Sequence, residues 1–428
     1  MTPFVTLIIM KLIPTWRIIS AIFYILHLLM AIIIMPIGIL IPFYRRRFFA
    51  EFDNFFKLSR DNKLIAQFSS EGEFEQIIVP LKHRIHEAQK VLLVYTSPSV
   101  KKKVHLFARS YDHVEFCMNP ILNPFTLLLF YFYFRKVNEV WMVRYDFWPM
   151  FIALASKGSI ESVLYAFTFK NRKKVNDILL KNTFDYIYTS TKKDLNTLAD
   201  LGVKGSYSFK EFRVDQIYHR LNQAEGHPSE VLKFLSVEFQ GQRCVWVWGQ
   251  IWPEDFAHFG NNIFAQLLKD NNILLYFAPH VFKGNSYDKL KEMVEKFSVI
   301  SKIPLIEIDE ENVQQLESLN KKGPVIVFSK AKGILCEAYK YANVSYVGGG
   351  FGKSIHSVLE PFMSCPFVFC GPKIHRSTEF DICIETCDKR IKAIHKFEDF
   401  IDTFNEQTKL EDGYKLLENS IETLLNEN

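Results

Sequence analysis

The sequence is sparing with cysteine, because only seven of its 428 residues are Cys and no two of them are spaced as a C-x-x-C pair. That scarcity favours buried free thiols in a reducing compartment over disulfides or a metal site. Arg-rich tracts and zinc-finger spacings are also missing, and the formal net charge is only +5. These absences argue against a nucleic-acid partner. With 48% hydrophobic and 23% charged residues, the chain is neither disordered nor fibrous.

Aromatic residues, by contrast, are abundant: they make up 15% of the chain, and 40 residues are Phe. Such a chain is expected to meet lipid or another apolar partner in addition to filling its own core. Its length suits two domains and an appendage, since one compact domain takes ~100–200 residues.

The first long apolar run extends from Ile18 to Tyr44 without any Lys, Arg, Asp or Glu. A helix needs ~20 apolar residues to cross the hydrocarbon core, so this run can span a membrane, and it is too long for a signal-peptide core. Basic residues are concentrated on its C-terminal side, which places the rest of the chain in the cytoplasm. Because Pro36 and Pro42 weaken the last turns, a helix lying partly in the interface is the alternative. The basic residues are Arg45, Arg46, Arg47, Lys57 and Arg60.

A second apolar run, residues 121–134, is too short to span a membrane. It is either a buried core helix or a membrane-docking helix that receives a lipid substrate. Arg135 and Lys136 follow it and suit anionic head groups. The sequence favours neither alternative.

Short β-rich runs alternate with charged, helical segments along the rest of the chain. Near-continuous apolar strands separated by helices predict parallel sheets that are covered on both faces. We therefore predict an α/β protein of two Rossmann-like domains flanking a cleft, with ligands at the C-terminal strand ends and a linker at Asn222–Ser229. The predicted strands are Val91–Thr96, Val114–Met118, Glu139–Val143, Val163–Phe167, Tyr186–Thr189, Cys244–Trp248, Ile273–Phe277, Val325–Phe328, Val344–Val347 and Pro366–Cys370.

Three motifs carry chemistry, and the first surrounds Glu73. Small residues and Gly72 follow the apolar run Leu64–Phe68, and a helix-like run continues to Pro80. A turn opening a helix would aim Glu73 into the cleft, where partial burial would raise its pKa toward that of a general base. An ordinary first-turn Glu stabilised by the helix dipole is the alternative, which the spacing alone favours.

The second motif is a Gly-rich loop, Val347–Pro361, that follows a predicted strand and precedes a helix. Its glycines would let the backbone approach a phosphate, and free N–H groups at the helix start would supply donors. Ser354 and Ser357 would cap the helix or bind the phosphate, and Glu360 would accept hydrogen bonds from ribose hydroxyls. The spacing is neither Walker A nor G-x-G-x-x-G, and a tight turn without a ligand is the alternative.

The third motif is Arg144–Pro149, directly after a predicted strand. Its Trp-Pro pair would rigidify a loop at the strand's C-terminal end and leave Arg144 and Asp146 facing the cleft. Structural packing of Trp148 is at least as good an explanation of the motif on its own.

In this order, the anchor, Ser-x-Gly-Glu at 70–73, acidic-x-Trp-Pro at 146–149 and the Gly-rich loop ending in His-x-x-Leu-Glu-Pro resemble the Kdo transferases. Those are membrane-anchored GT-B enzymes that move 3-deoxy-D-manno-octulosonic acid (Kdo) from CMP-Kdo to lipid A. The resemblance extends to about Pro372. It implies that Glu73 is the general base and that Asp146 and Arg213 stabilise the transition state. The donor-binding residues that it implies are Pro279, His280, Lys332, Gly333, Ile334, Gly350, Gly352, Lys353, Ser354, Ser357, Val358, Leu359 and Glu360.

The resemblance also implies the domain plan and the partners. Residues 1–50 would be the anchor, 51–222 the acceptor domain and 230–405 the donor domain, with a helix at 406–428 packing back on the first domain. CMP-Kdo and a lipid A precursor would meet at the cytoplasmic side of the inner membrane, without nucleic acid. An inverting transfer with a CMP leaving group would need neither a metal nor a cofactor. Arg144, Arg213 or Lys353 would pair with the Kdo carboxylate.

Several positions depart from the family pattern at or near the expected cleft. These departures leave two alternatives open. One is a related GT-B enzyme that uses another nucleotide sugar, and the other is a degenerate, non-catalytic homologue. The departing residues are Gln67, Phe68, Met150, Gln250, Ala278, Lys330 and Ser357.

Overall fold

The computed structural model describes residues 3–87, 89–169, 174–312, 323–407 and 410–427. The chain divides into two compact units, Met1–Arg213 and Val214–Asn428. The division falls before the predicted linker Asn222–Ser229, which lies between two helices of the second unit. The reason is that the helix preceding this linker buries Val214, Ile217 and Leu221 in a core of the second unit.

The first unit is built on one parallel sheet of seven strands within the described residues, in the order β3-β2-β1-β4-β5-β6-β7. Alternate side chains of β1 enter two different cores, because Ile65 packs on one face of the sheet while Leu64 and Ala66 pack on the other. The strands are β1 Leu64–Phe68, β2 Val91–Tyr95, β3 Val114–Met118, β4 Glu139–Val143, β5 Glu161–Phe167, β6 Tyr186–Thr189 and β7 Ser206–Phe209.

The second unit repeats this architecture in the order β10-β11-β9-β8-β12-β13-β14. Its strands are β8 Val245–Ile251, β9 Leu274–Pro279, β10 Leu305–Ile308, β11 Val325–Ser329, β12 Val344–Val347, β13 Phe367–Cys370 and β14 Ile391–Ala393. All ten predicted strands are present, and the predicted class, two Rossmann-like α/β domains, is confirmed. The strands that the sequence missed include the edge strands β7, β10 and β14, which are short and only partly buried.

Helices connect the strands and cover both faces of each sheet. In the first unit they are α1 Pro3–Leu40, α2 Pro42–Ala50, α3 Glu71–His86, α4 Lys101–Arg109, α5 Pro124–Phe134, α6 Pro149–Ala155, α7 Lys174–Asn182 and α8 Lys192–Leu201. From Arg213 onward they are α9 Arg213–Asn222, α10 Glu230–Gln240, α11 Pro253–Phe259, α12 Asn262–Asp270, α13 Asn285–Ser301, α14 Leu335–Ala338, α15 Leu359–Phe362, α16 Thr378–Cys387, α17 Phe397–Gln407 and α18 Leu410–Glu427. Helix α18 contacts α16, and its packing on the first domain stays a prediction.

The N-terminal apolar run forms most of α1, in which Trp16–Leu40 is long and apolar enough to cross a membrane. One face of α1 packs on the first unit, where Trp16, Tyr24 and Ala31 join the core beneath α5 and α6. Helix α5, the second apolar run, is buried on one side and exposed on the other. Both alternatives for that run are therefore compatible with its surroundings.

A buried ion pair fixes the segment after α1 to the first unit. The Arg47 guanidinium pairs with the Glu51 carboxylate at 3.0 Å and donates to the backbone carbonyl of Asn119 at 2.8 Å. Glu51 is fully buried and accepts hydrogen bonds from the backbone N–H groups of Leu122 and Asn123. The sequence pattern places Arg47 among the basic residues that flank the apolar run, but its guanidinium contacts the protein interior.

Replacing Arg47 should therefore destabilise the first unit, whereas replacing the adjacent Arg46 should not. Arg47→Ala leaves the Glu51 carboxylate buried without its counter-ion, at a cost of about 3 kcal/mol in the free energy of unfolding. Arg46 is exposed, so Arg46→Ala should change that free energy by less than about 0.5 kcal/mol. Denaturant unfolding of the detergent-solubilised chain measures both. Equal stability of the two variants would contradict this role for the ion pair.

Candidate functional site

Each sheet has one place where neighbouring strands lead the chain away in opposite directions, and ligands bind α/β sheets at such switch points. In the first unit this place lies between β1 and β4, because the chain proceeds from β1 to β2 and β3 on one side and from β4 to β7 on the other. Glu73 follows β1, and Arg144 and Asp146 follow β4. Two of the three sequence motifs thus meet at one edge of the first sheet.

Glu73 is held in a capping box at the start of α3. The Ser70 hydroxyl accepts the Glu73 N–H at 3.3 Å, and the Glu73 carboxylate in turn accepts the Ser69 and Ser70 N–H groups at 2.5 and 3.2 Å. Glu73 therefore caps the helix, which agrees with the alternative that it is an ordinary first-turn glutamate. Its burial is not ordinary, since only 7% of the residue is exposed.

This burial makes Glu73 a weaker acid than an exposed glutamate. It raises the pKa of Glu73 to about 7, against the opposing effect of the hydrogen bond from Ser69. The negative charge of Asp146 adds to the increase in pKa, whereas Arg144 and the Ser70 N–H reduce it. A carboxyl group with this pKa can take up and release a proton near neutral pH, which is what a general base requires.

The loop after β4 is strained at Arg144. This residue has φ of 61°, a left-handed conformation that is uncommon for a side chain of this size, and its N–H donates to the carbonyl of Tyr165 at 2.8 Å. The Arg144 Nε atom is buried without a hydrogen-bond partner among the described residues. A strained backbone and a buried, unpaired Nε atom beside Glu73 are typical of a binding site. Trp148 also packs against the core, so its structural explanation holds as well.

Arg213, the third residue expected to act in catalysis, begins α9 at the end of the first unit. Its backbone N–H donates to the buried carboxylate of Glu211 at 3.1 Å. The action of its guanidinium on a substrate stays a prediction.

In the second unit the switch point lies between β8 and β12, and the Gly-rich loop lies there. Gly348 N–H donates to the carbonyl of Gly249 at 2.9 Å, which joins the loop to the end of β8. A Cβ atom on Gly348 would lie only 2.3 Å from the carbonyl oxygen of Gln250, so this close approach requires glycine. Gly349 has φ of 91°, which also favours glycine.

Asp255, which the sequence analysis did not single out, organises this loop. Its fully buried carboxylate accepts the N–H groups of Gly349 at 2.7 Å, Trp252 at 3.0 Å and Phe351 at 3.3 Å. Burial raises the pKa of Asp255, and the N–H of Gly349 opposes that shift most strongly. The sequence does contain a local signal for Asp255. It is the third residue of the helix that follows the N-cap Trp252, and an acidic residue there is a capping pattern.

The sequence predicted free N–H groups at the helix start after the loop, but two of these groups are already occupied. The N–H groups of Val358 and Leu359 donate to the carboxylate of Glu379 at 3.1 and 3.3 Å. The expectation that free N–H groups there bind phosphate is therefore wrong for these two residues. Ser354 is half-buried in the loop, and its hydroxyl donates to the carbonyl of Lys373 at 3.4 Å.

A stack of rings stands at the same edge, at the ends of β8 and β9. The His280 ring stacks on Trp252, with centroids 4.7 Å apart, and on His356, with centroids 4.1 Å apart. The Trp252 indole N–H donates to His356 Nε2 at 3.0 Å, so the ring proton of neutral His356 is on Nδ1. Burial, followed by the neighbouring His280, lowers the pKa of His356 to about 4. Burial also lowers the pKa of His280, so both imidazoles favour the neutral form at neutral pH.

The segment Lys332–Ile334 follows β11 at this edge, and Gly333 has φ of 80°. Arg220, which the sequence analysis also missed, donates to the Gly333 carbonyl at 3.2 Å and grips the Glu337 carboxylate through two contacts of 2.8 and 2.7 Å. Glu360 is close enough to contribute to raising the pKa of Arg220. Four segments of the predicted donor site thus come from neighbouring strands. They are Pro279–His280, Lys332–Ile334, Gly350–Ser354 and Ser357–Glu360.

Loss of the Asp255 charge should loosen the Gly-rich loop. In Asp255→Asn an amide NH₂ group replaces one carboxylate oxygen. Because NH₂ cannot accept hydrogen bonds from the backbone N–H groups that it faces, the free energy of unfolding should fall by about 2–4 kcal/mol. We expect faster amide hydrogen exchange in peptides covering residues 348–352. Glu254→Gln is the matched control, because Glu254 is adjacent and exposed. Unchanged exchange in Asp255→Asn would contradict this role.

No protein-family profile matches the sequence, and no curated protein matches it. Solved structures do resemble it. UDP-GlcNAc 2-epimerase from Neisseria meningitidis, bound to UDP-GlcNAc, has a TM-score of 0.53 at 10% identity, over 85% of this chain and 98% of that one.

Two further structures are similar at lower scores. The C-terminal CMP-Kdo binding domain of WaaA from Acinetobacter baumannii has a TM-score of 0.35 at 15% identity, over 45% of this chain and 96% of that one. Anabaena Alr3699/HepE in complex with UDP has a TM-score of 0.49 at 11% identity, over 85% and 95%. The likeness to the epimerase concerns the fold: two parallel-sheet α/β domains that resemble those of GT-B glycosyltransferases.

Proposed function

We propose that this protein is a glycosyltransferase that transfers Kdo from CMP-Kdo to a lipid A precursor, with inversion, at the cytoplasmic face of the inner membrane. The observation that carries the proposal is the buried Glu73 at the switch point of the first sheet, with a pKa of about 7. The motif resemblance supplies the identity of donor and acceptor.

In the proposed reaction, the Glu73 carboxylate takes the proton from the acceptor hydroxyl as that oxygen attacks the anomeric carbon of Kdo. The bond from that carbon to the CMP phosphate breaks, and its electron pair leaves with CMP through an oxocarbenium-like transition state. The Ser69 and Ser70 N–H groups hold one Glu73 oxygen, which orients the other. Burial of Glu73 supports this role, since it makes the carboxylate a stronger base.

Arg144, Asp146 and Arg213 would stabilise charge at the reacting centre, and the first two act electrostatically on Glu73. The Arg144 guanidinium has an unsatisfied Nε atom and suits the Kdo carboxylate, a planar anion that an arginine can pair. Asp146 would stabilise positive charge that develops on the sugar, and Arg213 would assist at the leaving phosphate. The motif resemblance implies that Asp146 and Arg213 act on the transition state, whereas the role of Arg144 is inferred from the chemistry of the Kdo carboxylate.

The second unit would bind CMP at the edge between β8 and β12. The stack of Trp252, His280 and His356 offers flat surfaces to a nucleotide, and Glu360 offers an acceptor to ribose hydroxyls. Lys353 in the Gly-rich loop would meet the phosphate. Because the leaving group is a monophosphate, these residues suffice in the proposed mechanism without a metal or cofactor.

A transfer assay with matched variants tests the proposal. Detergent-solubilised protein would receive freshly made CMP-Kdo and a tetraacyl lipid A precursor. We expect a Kdo-lipid product from the natural sequence and a loss of about 10²–10⁴-fold in Glu73→Gln. Glu71→Gln is the control, since Glu71 lies in the same helical turn but is exposed, and it should stay within about twofold.

The outcomes separate the alternatives. Product from Glu73→Gln at the natural rate would remove Glu73 from its role. No product, together with binding of UDP and not of CMP, would favour another nucleotide sugar. Absence of both product and CMP binding would favour the degenerate homologue.

The pH dependence of the natural enzyme should report the ionisation of Glu73. The base acts in its unprotonated form, so kcat/KM should rise with pH and level off above about 7. Stability should move in the opposite direction. A raised folded-state pKa means that the folded chain binds more protons than the unfolded chain between about 4.5 and 7, so rising pH through this window costs roughly 3 kcal/mol.

Glu73→Gln should remove this stability loss, so its Tm should exceed that of the natural sequence at pH above about 7. Thermal unfolding of both proteins across the pH range checks the expectation. A kcat/KM plateau that begins near pH 4.5, with equal Tm values at high pH, would contradict the raised pKa.

A further inference from the structure

The apolar helix α1 is bound to the first unit along one continuous face. Its buried residues Trp16, Ser20, Tyr24 and Ala31 recur at intervals that place them on a single side of the helix. Three of them are part of the core that also contains α5 and α6. The helix is therefore a packed element of the domain rather than a tether that leaves it.

Polar contacts fix this position at three points along the helix. The Trp16 indole N–H donates to the Thr183 hydroxyl at 3.2 Å, and the Tyr24 hydroxyl donates to the Leu127 carbonyl at 3.1 Å. The His27 ring lies 3.2 Å from the Ile121 carbonyl through Nε2. These groups would lose their partners in the hydrocarbon of a bilayer, where an unsatisfied polar group costs several kcal/mol.

The length of the docked part excludes a crossing in this position. From Trp16 to Ala31 the helix rises about 22 Å along the domain, and the remaining stretch, Ile32–Leu40, rises about 14 Å. The hydrocarbon core is about 30 Å thick. The stretch beyond Ala31 is too short to cross it, so Trp16–Leu40 could span only by leaving the domain or by drawing it into the bilayer.

The opposite face of α1 is apolar and exposed, and α5 continues it. On α1, Ile18, Ile22, Ile25, Leu29 and Ile33 are exposed. On α5, the exposed residues Phe125, Leu128 and Phe132 stand at i, i+3 and i+7, on one side of that helix. The two helices touch through Tyr24 and Tyr131, whose ring centroids are 4.8 Å apart.

Basic residues border this apolar surface. Lys157, Arg135 and Arg60 lie over aromatic rings of α5, at 5.1 Å from Tyr131, 5.7 Å from Phe132 and 4.1 Å from Tyr133. Arg45 and Arg46 follow α1 and are exposed. Within the described residues none of the five cations forms an ion pair, so their charges are available to anionic lipid head groups.

We propose that α1 lies in the plane of the membrane and that its exposed face, together with that of α5, docks on an anionic lipid surface without crossing it. This membrane-docking surface consists of the exposed apolar residues of α1 and α5 and the five bordering cations. It accounts for both apolar runs and for their flanking charge. The inference rests on the proposed membrane anchorage and does not involve the transfer chemistry.

The topology of the full chain tests the inference. Epitope tags would be added at both ends of the chain. Intact spheroplasts and inverted membrane vesicles would then be treated with protease. An in-plane helix predicts that both tags survive in spheroplasts and that both are cleaved in inverted vesicles. A spanning helix predicts cleavage of the N-terminal tag alone in spheroplasts, which would overturn the inference, as would recovery of the chain in the soluble fraction.

Vesicle flotation tests the docking surface itself. Phe125→Ser with Phe132→Ser should weaken binding to phosphatidylglycerol vesicles by about tenfold or more. Arg45→Ser with Arg46→Ser should weaken binding to these vesicles by about tenfold and leave binding to neutral phosphatidylcholine vesicles unchanged.

The matched control is Val299→Ser with Ile300→Ser, because these residues of α13 are 78% and 72% exposed in the second unit. It should bind like the natural chain. Binding of the Phe variant at the control's level would overturn the surface. Neither experiment measures transfer, so its result is independent of the role of Glu73.

Discussion

A buried carboxylate that accepts backbone N–H groups is the interaction on which this structure most depends. Glu51 holds the start of α5, Glu73 the turn before α3, Asp255 the Gly-rich loop and Glu379 the start of α15. In each case a loop at a helix end would otherwise leave polar backbone groups unsatisfied in an apolar setting. Such a carboxylate gives a loop one conformation, and removing it would leave several backbone donors unpaired at once.

Glu73 differs from the other three in where it lies. It stands at the switch point of a sheet, beside a strained Arg144 and the charge of Asp146, and its pKa is raised to about 7. Thus a group that caps a helix also has a pKa suited to exchanging a proton near neutral pH. In the second sheet a buried carboxylate also lies beside the candidate site, since Asp255 fixes the Gly-rich loop next to the stacked rings of Trp252, His280 and His356.

Apolar strand runs, the Gly-rich loop and the Glu73 motif were readable from the sequence because strand burial and turn chemistry are local. The edge strands β7 and β14 were not, since short half-buried strands carry little pattern. The local capping pattern of Asp255 does not reveal its contact with the Gly-rich loop, because Gly349 lies 94 residues away along the chain. Glu379 was missed because its partner Val358 lies 21 residues away. Arg46 and Arg47 are adjacent and identical in sequence, and only the fold shows that one faces solvent while the other pairs with Glu51.

The proposed function requires Glu73 to be a buried base, and its ionisation can be observed directly. Carboxyl ¹³C NMR spectra of the chain labelled at glutamate would be recorded across the pH range, with Glu73→Gln identifying the Glu73 signal. We expect one signal, absent in the variant, that titrates with a midpoint near 7. A midpoint near 4.5, the ordinary value for a glutamate, would contradict it.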